Sequence, residues 1–137
     1  MLPDLQASLL CDDVRQERNG KFILIGLFDV VGVAKMPSVF QRICVVNRWC
    51  CGSGTFEQHC RIIKPDGTLV LVEGKAVQIK LPGERATATS VEIFLNVKFE
   101  EVGTHWVEIL LEGDLKMRYP LNVTLVKKQD AVPPEQA

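Results

Sequence analysis

An all-β fold, two antiparallel sheets packed face to face as a β-sandwich of about eight or nine strands, is predicted by three features of the sequence. Apolar residues alternate with period two, most clearly where Val91, Ile93, Leu95, Val97 and Phe99 interleave with Ser90, Glu92, Phe94, Asn96 and Lys98. A strand places the first set on a core and the second toward water, whereas a helix scatters both around its axis. Turn residues cut the chain at strand-length intervals, and no helical period fills the gaps.

Strand 5–16 takes its alternation from Leu5, Ala7, Leu9 and Cys11, which outweighs a helix capped by Asp4. Asn19-Gly20 offers the residues tolerant of positive φ that a two-residue hairpin loop needs, returning the chain into 22–31. Strand 39–49 follows Pro37, and 55–63 folds back through Lys64-Pro65-Asp66-Gly67 onto 68–73. There proline presets φ and glycine takes the left-handed exit. Gly74, Pro82-Gly83, Gly103 and Gly113-Asp114 separate strands 75–81, 87–99, 104–112 and 115–126. Pro37 and Pro120 are expected at strand ends or edges, because proline cannot donate to a central ladder. The continuous apolar stretches 22–28 and 69–72 are expected to be covered on both faces or to meet a partner. Uneven strand lengths favour a sandwich over a closed barrel of the same periodicity. Residues 1–126 then make one domain, and 127–137, with two prolines and no periodicity, an unstructured tail.

Several local sequences follow in a recognisable order: Leu10-Cys11-Asp12-Asp13, Gly20-Lys21 leading into Ile23-Leu24-Ile25-Gly26, Pro65-Asp66-Gly67, Glu112-Gly113 and Tyr119-Pro120-Leu121-Asn122-Val123. The order resembles a family of small uncharacterised bacterial proteins, a domain of unknown function, over roughly residues 4–126. That resemblance implies an immunoglobulin-like β-sandwich and a bacterial host, and it supplies no activity, cofactor or site residue. The Cys-Trp-Cys spacing of antibody domains is not evident, since Trp49 adjoins Cys50-Cys51.

Sixteen Lys and Arg against 17 Asp and Glu leave a net charge of -1. Without a basic block the phosphate attraction behind most nucleic-acid binding is missing, so no nucleic acid is an expected partner. No apolar run is long enough for a membrane helix and no secretory signal is readable, so a cytoplasmic protein with no membrane partner is expected. Five cysteines, Cys11, Cys44, Cys50, Cys51 and Cys60, are an odd number that fits reduced thiols better than a disulfide framework.

The weak metal candidates are Cys50, Cys51, His59 and Cys60, because thiolate and imidazole are zinc ligands. Their spacing is wrong for a zinc knuckle, and in a strand each adjacent pair points to opposite faces, so no metal is expected. A nucleophilic cysteine would need His59 across a strand, with no group marked out to orient the imidazole, so no catalytic residue is assigned. His105 reads as a packed or strand-end histidine. Asp12, Asp13, Glu17 and Asp29 lie among Arg15, Arg18 and Lys21 and read as a solvated hairpin rather than a calcium loop. Glu92 and Glu108 fall on strand faces expected to meet water.

Exposed apolar surface is the better guide. If 87–99 and 104–112 pair as a hairpin, Phe94, Trp106 and Leu110 gather on one sheet face as an interface. The function expected is non-catalytic, a protein-binding or accessory module with a protein partner or self-association and no cofactor. The alternative is a small-molecule or metal-binding module using residues 50–60.

Overall fold

Period-two patterning and turn chemistry produce strands throughout residues 1–127, the part of the chain that the computed structural model describes. Ten strands form: β1 (Asp4–Gln16), β2 (Phe22–Leu27), β3 (Val30–Val33), β4 (Ser38–Cys50), β5 (Gly54–Ile63), β6 (Val70–Glu73), β7 (Val77–Leu81), β8 (Thr87–Phe99), β9 (Gly103–Leu111) and β10 (Asp114–Leu125). No helix occurs among the described residues, so none is long and apolar enough to cross a membrane. The expected tail lies, beyond Lys127, outside those residues.

One sheet has the order β2-β1-β4-β8 and the other β3-β10-β9-β5-β6, with β7 also on β5. Between them lies a core in which Trp49, Phe99, Ile43, Ile62, Ile109, Leu111 and Leu121 are fully buried. Phe99 packs edge-on against both Phe40 and His105. Ser8 and the Tyr119 hydroxyl hydrogen-bond at 2.8 Å, tying β1 to β10 across the gap between sheets.

Four expectations are corrected. The expected strand 22–31 is two strands, because Phe28 turns inward and donates its N–H to the Leu10 carbonyl. The chain then enters the opposite sheet, where β3 pairs with β10 in parallel rather than antiparallel. The first hairpin closes through three residues, 18–20: Glu17 N–H donates to Lys21 O at 2.8 Å and Gly20 N–H to Glu17 O at 2.9 Å. Gly20 takes the left-handed position, at φ 92. Strands β8 and β9 do not pair, since the chain changes sheets between them and β8 joins β4 while β9 joins β5 and β10.

The fourth correction concerns phase. Val97 and Phe99 face the core as expected, but Ser90, Glu92 and Phe94 also face inward, while Ile93 and Leu95 are exposed. Asn96, at φ 53, flips the pleat between the two halves of the strand. Strand β4 changes phase beside it, with Phe40 inward and Gln41 and Arg42 exposed, so the register survives: Phe40 still faces Val97 and Arg42 faces Leu95. Pro120 sits where β10 is still an edge, because pairing with β3 begins at Asn122.

Candidate functional site

The expected interface residues do not come together. Phe94 belongs to the core between the sheets, and Leu110 is buried on the outer face of the other sheet. Trp106 shares that outer face and is half-buried, with the Arg118 guanidinium 4.7 Å above its ring. Glu108 beside it is buried rather than solvated, held by Arg61 at 2.7 Å and Arg118 at 3.7 Å. The chain's own β5 and β10 side chains therefore cover this face.

Residues 50–60 also disperse. Cys60 is fully buried in the core, His59 lies half-buried with Nδ1 3.8 Å from Glu57, and Cys50 and Cys51 sit where β4 ends. No three His, Cys, Asp or Glu side chains converge as metal ligands among the described residues.

The phase change buries a polar cluster instead. Gln58 Oε1 accepts from Trp49 Nε1 at 2.7 Å, Ser90 Oγ at 3.0 Å and Asn47 Nδ2 at 3.3 Å. Asn47 Nδ2 also reaches Cys60 Sγ at 3.1 Å. Glu92 is buried beside Cys60, and its carboxyl occupies the space a side chain on Gly74 would need. Burial raises the Cys60 thiol far above its ordinary value, with Glu92 adding to the effect. Burial likewise raises Glu92, offset in part by Cys60 and His59.

A carboxyl raised on folding favours the native state while both states are protonated and loses that advantage as pH climbs past its ordinary 4.5 toward the raised value. Glu92→Gln is therefore expected to reduce the fall in stability over this range, read from urea midpoints at successive pH values. A mutant profile parallel to the native one would contradict the assignment.

The surface that remains is the outer side of the four-stranded sheet and its β2 edge. Leu27, Cys11, Cys44 and Ile93 align across all four strands, with Leu9, Val46 and Val91 in the adjoining row. Beyond Asp12 the β1–β2 ribbon curls over this face, packing Val14 and Leu24 on Cys11, Cys44 and Val46. Under it lies a cavity of about 260 Å³ lined by Leu9, Phe22, Leu24, Val46 and Arg48, among others. Gly26 permits the bend: it has φ 71, and a Cβ there would collide with the Asp12 carboxyl. Burial, then Cys44, pushes the Cys11 thiol up to about 11.

Strand β2 is the end strand of this sheet, and no strand among the described residues pairs with its outer edge. Phe22–Leu27 contains neither charge nor proline, and Phe22, Ile23, Ile25 and Leu27 are exposed, the last at 58%. Sheet edges are ordinarily blunted by charge, proline or a covering loop, whereas this one has only the twist at Gly26. The signal was in the sequence as the apolar run 22–28, expected to be covered or to meet a partner; its own chain covers only one side.

No curated protein matches the chain. Among solved structures it is similar to the Pseudomonas fluorescens alkylpurine DNA glycosylase AlkC bound to DNA containing an abasic site analog, with 13% identity and a TM-score of 0.43. The likeness covers 69% of this chain and 27% of that one, so the chain spans about a quarter of the glycosylase's length, and at that score it carries no argument. The family of unknown function DUF6941 has a model that matches residues 6–124, nearly the whole of the two sheets, and the chain belongs to that family.

Proposed function

We propose that the chain is a non-catalytic binding module whose partner is a second copy of itself, joined edge to edge along β2. The observation that carries this reading is the uncharged, apolar and unpaired edge of β2. Two such edges related by a two-fold axis run antiparallel and satisfy each other's backbone groups.

Pairing centred on Ile25 sets that residue opposite its own copy and Ile23 opposite Leu27 of the second copy. The two four-stranded sheets become one continuous sheet, and the exposed apolar side chains of both ribbons meet.

The near-neutral charge supports a partner other than nucleic acid. Five unbonded cysteines support a reducing, cytoplasmic setting, in keeping with the immunoglobulin-like bacterial family that the sequence resembles. Sedimentation equilibrium at micromolar concentration tests the reading. A dimer in equilibrium with monomer is expected; a monomer at every concentration would overturn it.

A further inference from the structure

We propose that Cys50 and Cys51 form an accessible vicinal dithiol that chelates one soft, thiophilic centre of the trivalent-arsenic type. Adjacent side chains of a regular strand diverge. Here the strand stops between them: Cys50 is the last residue of β4, and Cys51 takes φ 62, a left-handed backbone through which strand alternation does not continue. The two thiols are close enough for the Cys51 side chain to raise the Cys50 thiol above its ordinary value.

Cys51 is exposed and Cys50 half-buried, so a small reagent can approach both. The turn behind them is fixed. Ser53 N–H donates to Met1 O at 3.1 Å, and Gly52 lies so close to the chain start that a Cβ on it would stand 2.6 Å from Pro3 N. A dithiol held this way loses little freedom when it closes on a ligand.

The ligand class follows from the donor count. Structural zinc takes four protein ligands, and no third His, Cys, Asp or Glu converges here among the described residues. Two sulfurs alone suit a soft centre that is content with thiolates. With an organoarsenic oxide, two S–As bonds form while two S–H bonds and the As=O bond break. The two protons leave with the oxygen as water, and arsenic stays trivalent.

Phenylarsine oxide, added to the reduced full chain, is the probe, with intact mass and native thiol titration as readouts. One adduct per chain is expected, masking two thiols. Because the second bond is intramolecular, Cys50→Ser or Cys51→Ser is expected to weaken capture about a hundredfold. Cys11→Ser and Cys44→Ser, which alter the buried pair under the ribbon, are expected to leave it unchanged. An adduct that survives Cys51→Ser, one lost in Cys11→Ser, or capture only after denaturation would overturn the proposal.

Discussion

Replacing Trp49 by alanine is expected to lower the stability of the fold by about 3–5 kcal/mol, the range for truncating a large aromatic in a packed core. Trp49 is fully buried at the inner face of β4, and its Nε1–H donates to Gln58 Oε1 at 2.7 Å. The substitution therefore opens a cavity and also removes one of three donors from a buried oxygen. Trp49→Phe retains most of the volume and is expected to cost less, chiefly the lost hydrogen bond. Trp106→Ala is expected to cost less again, because that ring is half-buried on the outer face. Urea denaturation measures all three; a loss below about 1 kcal/mol for Trp49→Ala would contradict the packing described.

Placing a charge at the centre of the β2 edge is expected to disrupt the dimer. In pairing centred on Ile25, two-fold symmetry sets the Ile25→Lys side chain of one copy opposite that of the other, and like charges directly opposite one another are destabilising. Ile25 is exposed in the single chain, so the substitution is expected to leave the fold intact. Association is expected to weaken roughly tenfold or more, because the apolar contact at the seam is lost together with the new repulsion. Ile25→Val keeps the edge apolar and is expected to keep the dimer. An Ile25→Lys variant that sediments as the native chain does would show that Ile25 is not at the seam.

The all-β class and most strand positions were legible because alternation and turn residues act locally. Asn-Gly, Pro-Asp-Gly and Gly113 each mark a reversal that the fold contains. What alternation could not reveal was a change of phase within a strand. Asn96 looks like one more polar residue on the outward pleat, yet its left-handed backbone exchanges the faces of everything before it. That exchange buries Glu92 and Phe94 and exposes Ile93 and Leu95. The sheet crossing between β8 and β9 was equally hidden, since a short connection serves a hairpin and a bridge between layers alike.

The candidate surface was half legible. An apolar run without charge at 22–28 already demanded cover, but only the strand order shows that β2 is an end strand with one side bare. Trp106 was placed on the correct pleat, and its cover came from Arg118 on the neighbouring strand β10. Cys50 and Cys51 were expected to diverge as adjacent residues of a strand do, whereas β4 ends between them.

Disulfide trapping along β2 tests the self-pairing most directly, in a chain whose accessible Cys50 and Cys51 are replaced by serine. Under mild oxidation, Ile25→Cys is expected to link to its own copy. Ile23→Cys and Leu27→Cys are each expected to stay unlinked alone and to link when mixed. A dimer in which Ile25→Cys never links, or in which Ile23→Cys and Leu27→Cys fail to link to each other, would contradict the pairing.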